Sequence, residues 1–226
     1  MKNVLFVLTS NDEMGNSGKK TGFWVEEFAA PYYILTDAGY NVTLASPKGG
    51  QPPIDPNSDT EDAATEDTKR FDKDKKTQEV LANTKRLEDV NQEDFDAVFY
   101  PGGHGLLWDL VESETSKKLI ESFIANDKPV SFVCHAPAIL KNIQDTEGNA
   151  LVKGKKVTGF TNGEEEAVQL TDVVPFLIED MMKEKGADYS KIGDWEPYAL
   201  EDGLLITGQN PASSTKVAKL LMNRLK

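Results

Sequence analysis

Cys134 is the only cysteine in the chain, and it is followed directly by His135, one of only two histidines. A thiol beside an imidazole is the smallest pair that supports nucleophilic catalysis: the ring takes the thiol proton and the thiolate attacks an electrophilic carbon. On a regular strand, adjacent side chains point to opposite faces and cannot cooperate. Here the surroundings read Pro129-Val130-Ser131-Phe132-Val133-Cys134-His135-Ala136-Pro137-Ala138-Ile139-Leu140. An apolar, β-branched run ends at the cysteine, and a helix-forming run begins after it, with Pro137 tolerated in a first turn. The thiol therefore falls on a sharp strand-to-helix corner, the device that lifts a nucleophile above a sheet. The plain alternative, a small buried hydrophobe, is a common role for free cysteine. The corner and the adjacent histidine weigh against it.

Such a thiol needs an oxyanion site, an acid and an orienting acceptor. Pro101-Gly102-Gly103-His104-Gly105 directly follows the apolar run Val98–Tyr100. Glycines allow positive φ and close backbone approach, and amides in such a turn hold negative charge. The His135 amide, at a helix start, is a second candidate donor. A plain turn has the same composition. Glu26 and Glu27 lie in an otherwise apolar stretch, Thr21-Gly22-Phe23-Trp24-Val25-Glu26-Glu27-Phe28-Ala29-Ala30-Pro31. One of them turned into an apolar site would have a raised pKa and could pass a proton to and from the thiolate. The segment Thr158–Glu166 offers Glu164, Glu165 and Glu166 as acceptors for His135. A solvated first helical turn explains such a run equally well, and the residues alone do not choose among the three.

The elements that must position these groups alternate along the chain. Asn3–Thr9, Tyr40–Ala45, Ala97–Tyr100, Val130–Val133, Lys156–Thr158 and Leu204–Thr207 read as strands. Phe23–Asp37, Ser113–Asn126, Ala136–Lys141, Ala167–Lys185 (kinked or split at Pro175) and Ser213–Leu225 read as helices. Residues 46–94 form a long polar stretch with helical character near Lys75–Ala82, either a solvated loop or an insertion capping one end of the sheet. The alternation predicts an α/β fold: one domain over residues 1–226 with a mainly parallel sheet covered on both faces. Ligands of such sheets bind at the carboxyl ends of the strands, where Thr9-Ser10, Gly102–Gly105 and Cys134-His135 all fall.

A net charge of −13 argues against nucleic acid or anionic membranes as partners. The apolar run at Val4–Leu8 is too short to span a bilayer. A single cysteine allows no intrachain disulfide and fits a reducing compartment, so a cytoplasmic location is expected.

Taken together, Gly-Gly-His-Gly after a strand, Val-Cys-His-Ala-Pro-Ala some thirty residues later, Thr-Gly-Phe-Thr-Asn (Thr158–Asn162) and Thr-Gly-Gln-Asn-Pro-Ala-Ser (Thr207–Ser213) resemble the ThiJ/PfpI superfamily. They are most similar to its heat-shock chaperone branch with glutathione-independent glyoxalase (glyoxalase III) activity. The resemblance runs from Val4 to about Ala218 and implies a flavodoxin-like α/β/α sandwich, in a family with many homodimers. It implies Cys134 as nucleophile, His135 as its partner, Glu27 as the conserved glutamate with Glu26 as runner-up, and Glu165 as the acid behind the histidine. By the same resemblance Gly103 and the His135 backbone form the oxyanion hole, and His104, Trp24 and Gly102 line the pocket. The implied substrate is a small α-oxoaldehyde such as methylglyoxal, converted to a 2-hydroxy acid with no metal or organic cofactor. Glutaminases of the wider superfamily use a later His-x-Glu; no histidine follows His135 here. A PfpI-type cysteine peptidase or amidase, protein deglycation, and a non-enzymatic chaperone or redox-sensing role are the alternatives.

Overall fold

Strands buried on both faces lose the polar alternation of an open sheet. Val4–Val7, Ala97–Tyr100 and Val130–Val133 follow that rule: each is an unbroken buried run. The computed structural model describes residues 1–226. In chain order its elements are β1 (Asn3–Val7), α1 (Val25–Asp37), β2 (Asn41–Ser46), α2 (Glu66–Phe71), α3 (Lys75–Ala82), β3 (Lys85–Arg86), β4 (Ala97–Tyr100), α4 (Glu114–Ala125), β5 (Val130–Val133), β6 (Lys156–Val157), α5 (Asn162–Ala167), α6 (Ile178–Glu184), β7 (Asp188–Tyr189), β8 (Ala199–Asp202), β9 (Leu205–Gly208) and α7 (Ser214–Arg224).

The main sheet has the order β3-β2-β1-β4-β5-β9-β8 and is parallel except for the hairpin strand β8. From β1 the chain steps outward to β2 and β3, then returns to β4 on the other side of β1. Right-handed crossovers in opposite directions place their helices on opposite faces. Accordingly α1 and α7 pack together, while α4 packs on β4 and β5. The reversal between β1 and β4 is the point where open α/β sheets bind ligands. Beneath it Phe6 stacks on Phe99 and Tyr100 on Phe132, all fully buried. Each such ring contributes on the order of 2 kcal/mol of burial. No helix is long and apolar enough to cross a membrane.

In several places the structure departs from, or adds to, what the sequence predicts. The helix expected over Ala167–Lys185 is absent from 168–177. Thr161 starts α5 earlier, in a capping box whose hydroxyl accepts the Glu164 amide and whose amide donates to the Glu164 carboxylate. Gln169, at φ +60, lies in the left-handed region after its end, and helix resumes only at Ile178. The helix expected over Ala136–Lys141 is present, as a 3-10 helix over Ala136–Asn142. The strand at Lys156 lies outside the main sheet and pairs with β7. The antiparallel β8 was not anticipated, although Asp202-Gly203 is a hairpin signal and Gly203 has φ +63. The stretch 46–94 also supplies a strand of the main sheet, since β3 pairs with β2 as an edge strand.

Candidate active site

At the end of β5 the chain turns on Cys134 itself, at φ +61. A non-glycine residue in that region is uncommon, and such strain persists only where the surroundings over-determine it. Both backbone groups of Cys134 are held: its amide donates to the Gly208 carbonyl (3.0 Å), and its carbonyl accepts from the Phe160 amide (2.9 Å). The turn brings the sulfur to 3.3 Å from His135 Nδ1, a contact that a straight strand forbids. Cys134 is 3 % exposed and His135 1 %, too enclosed for a bulky group to reach the sulfur without rearrangement.

Behind the imidazole, Glu165 on α5 accepts from His135 Nε2 through Oε2 at 2.7 Å. Its other oxygen, Oε1, bonds His104 Nε2 at 2.7 Å. An ionised carboxylate only accepts, so both ring nitrogens facing it carry hydrogen. His135 Nδ1 is then left as a lone pair aimed at the sulfur. Burial alone would raise the Glu165 pKa, but the His135 and His104 rings outweigh it and hold the carboxyl well below its usual range. Burial, then the neighbouring His104 ring, lowers the His135 pKa. A neutral imidazole beside a fixed negative charge is the state that accepts a thiol proton.

The other two glutamates of that run do different things. Glu166 is exposed. Glu164 is fully buried and faces away, accepting from the Trp195 amide, Gln209 Nε2 and Asn210 Nδ2 through Oε1 and from the Thr161 amide through Oε2. It bolts the 193–197 loop to α5.

On the far side of the sulfur lies Glu27, fully buried near the start of α1. No side chain caps this helix. Instead the Trp24 amide donates to the Gly102 carbonyl (3.2 Å), tying the helix start to the turn after β4. Glu27 Oε2 accepts the Gly102 amide at 2.6 Å, while Oε1 has no hydrogen-bond partner, and the Cys134 thiol is the side chain that influences this carboxyl most. Burial pushes the Glu27 pKa up to about 8, so it is a neutral acid at pH 7. Burial, followed by any charge on Glu27, pushes the Cys134 thiol up. Protonation of Glu27 removes the second cause and supplies a donor to the thiolate. Glu26 points elsewhere: it accepts from the Thr65 hydroxyl of the insertion, and burial raises its pKa to about 7.

The glycine pair is dictated by contact. A Cβ on Gly102 would lie 2.5 Å from Glu27 Oε2 and 2.6 Å from the Val133 carbonyl. Gly103, at φ +101, approaches the backbone at Gly22, where a Cβ would meet the carbonyl oxygen at 2.3 Å. The Gly103 and His135 amides donate to no group of the protein, which leaves both available to a ligand oxygen. Trp24 is half-buried at the same turn. His104, His135 and Glu165 also offer one metal-ligand atom each, all within 4.8 Å of one another; the same three side chains are joined by the two hydrogen bonds.

Two residues were missed. Phe160, whose ring lies 4.2 Å from His135, stands within the Thr158–Asn162 motif but carried no chemical signal. Trp195, at φ +66 and half exposed, packs edge-on against Phe160 at 5.7 Å, and nothing in its own sequence neighbourhood points to the site.

The chain matches the DJ-1/PfpI family over residues 20–224. It is 34 % identical to Glyoxalase 3 of Candida albicans, covering 97 % of this chain and 96 % of that one. It is 33 % identical to the glutathione-independent glyoxalase HSP31 of Saccharomyces cerevisiae, over 100 % and 98 %. Among solved structures, the Rapid Encystment Protein 24 KDa of Francisella tularensis superposes with a TM-score of 0.95 at 40 % identity, covering 100 % of both chains. With that fold, that order of motifs and these full-length relatives, the chain belongs to the DJ-1/PfpI family, alongside glutathione-independent glyoxalases.

Proposed function

We propose that this protein is a glutathione-independent glyoxalase that converts methylglyoxal-type α-oxoaldehydes to 2-hydroxy acids on Cys134. The observation that carries the reading is the placement of one thiol between a neutral imidazole acceptor and a neutral carboxylic acid. His135 Nδ1 takes the thiol proton, and the sulfur attacks the aldehyde carbon. Glu27 protonates the resulting alkoxide to give a hemithioacetal. The Glu27 carboxylate then takes the proton from that carbon, leaving an enediolate held by the Gly103 and His135 amides. It returns the proton to the adjacent carbon and recovers the hydroxyl proton, while His135 protonates the second oxygen. The product is a thioester, and a water molecule that gives its proton to His135 hydrolyses it, restoring the thiol. No step needs glutathione, because Cys134 supplies the sulfur.

The enclosure of the sulfur favours an aldehyde of a few atoms over a peptide, which places amidase or peptidase activity second. The resemblance adds a homodimer and a cytoplasmic location to the reading; light scattering and fractionation test them. The decisive experiment is lactate formation from methylglyoxal without glutathione. Wild type should turn over, and Cys134→Ser should lose at least about 10³-fold while remaining folded. Absence of lactate from folded wild type overturns the assignment.

A further inference from the structure

We propose that His104 is a positioning residue. Through Glu165 it fixes the tautomer and pose of His135, so the unit that activates the thiol is the four-residue chain Cys134–His135–Glu165–His104. For turnover this rests on the glyoxalase reading; for thiol chemistry it stands alone.

Each Glu165 oxygen has one partner: Oε2 has His135 Nε2 and Oε1 has His104 Nε2, both at 2.7 Å. The terminal torsion of a glutamate is soft. What holds this one is the pair of bonds. The residue is 2 % exposed, so an oxygen that loses its partner has little water to turn to. Without His104, Glu165 either leaves Oε1 unpaired or swings, and swinging breaks the bond that keeps hydrogen on His135 Nε2. The lone pair at His135 Nδ1 is then no longer committed to the sulfur. Outer partners of a catalytic histidine act in this way on its tautomer and orientation.

His104 is itself built to stay put. It follows Gly103, whose left-handed φ sets the turn, and the next residue is held by the Gly105 amide on the Gly22 carbonyl (3.3 Å) and by Asn11 Nδ2 on the Gly105 carbonyl (3.3 Å). The residue is 6 % exposed, and its ring lies 3.8 Å from the His135 ring centroid and meets Phe160 edge-on at 6.2 Å. A ring that close also opposes positive charge on His135, one of the causes that keep that imidazole neutral.

The test uses His104→Gln, His104→Leu and wild type, each checked for folding by thermal denaturation. Glutamine places an amide nitrogen near the position of Nε2; leucine fills similar space with no donor. The rate of Cys134 alkylation by iodoacetamide is followed from pH 5 to 10, beside lactate formation. His104→Leu should alkylate roughly 10–100-fold more slowly at pH 7 with a displaced pH midpoint, and kcat should fall in parallel with KM little changed. His104→Gln should recover most of both. A leucine variant with the wild-type alkylation profile overturns the proposal. So does a glutamine variant as impaired in turnover as leucine but normal in alkylation, since that result means His104 acts on substrate. If wild type makes no lactate yet the alkylation profiles differ as stated, the glyoxalase reading fails and this one stands.

Discussion

The strand-end site and the insertion at residues 46–94 are built in opposite ways. In the insertion most polar contacts are local and solvated. Thr65 caps α2 and Asp74 caps α3 through groups three residues away, and Arg70 pairs with Asp37 at the surface (2.6 and 2.8 Å). At the site the contacts are buried and distant in sequence. Glu27 meets Gly102 from 75 residues away, and His104 meets Glu165 from 61. Local solvated bonds can be lost one at a time, with water replacing them. Buried long-range bonds have no such substitute, so each one holds several groups in place.

The largest expected effect strikes the close backbone approach. Gly103→Ala puts a Cβ against the Gly22 carbonyl at a φ and ψ that essentially only glycine adopts. It should destabilise by about 3 kcal/mol, a fall in Tm of roughly 6–12 °C, and abolish turnover. A variant as stable as wild type would break the contrast at its strongest point.

Glu27→Gln separates function from stability. Glutamine keeps an acceptor for the Gly102 amide but cannot move a proton, so kcat should fall roughly 10²–10⁴-fold. Stability should change the other way with pH. A carboxyl whose pKa is raised to about 8 in the folded state binds its proton more tightly there than in the unfolded chain. Wild type therefore loses stability as pH climbs from about 4.5 to 8 and is level above, a total on the order of a few kcal/mol. The glutamine variant lacks that loss, so its Tm relative to wild type should rise between pH 5 and pH 8.5. A constant difference across that range would show that Glu27 is not held as an acid.

Thr65→Ala should cost about 1 kcal/mol by uncapping α2 and freeing Glu26, with lactate formation nearly unchanged. A large loss of activity would mean that the insertion shapes the site. Arg70→Ala should be smallest, below about 1 kcal/mol in urea denaturation, because its pair with Asp37 is exposed. More than that would credit its stacking on Tyr33 at 3.8 Å.

The sequence by itself determined what depends on neighbours within a few residues. Apolar runs marked β1, β4 and β5, and the spacing of apolar residues marked α1. The run from Val130 to Pro137 located the corner that carries the thiol, and the motifs identified the family. These signals are legible because strand burial, turn conformation and helix capping are decided by short stretches of chain. The motifs singled out Glu27 and Glu165, but the local pattern held no physical reason to prefer them to Glu26, Glu164 or Glu166; the tertiary structure supplies it. Consecutive helical residues point about 100° apart, so only one of Glu26 and Glu27 can face the sulfur, and helix phase against the sheet selects Glu27. The same geometry turns Glu164 toward the 193–197 loop and Glu165 toward the imidazoles. The second bond on Glu165, the ring of Phe160 over His135 and the approach of Trp195 join segments tens of residues apart. No local pattern encodes such meetings, because they follow from strand order and from which helix covers which face.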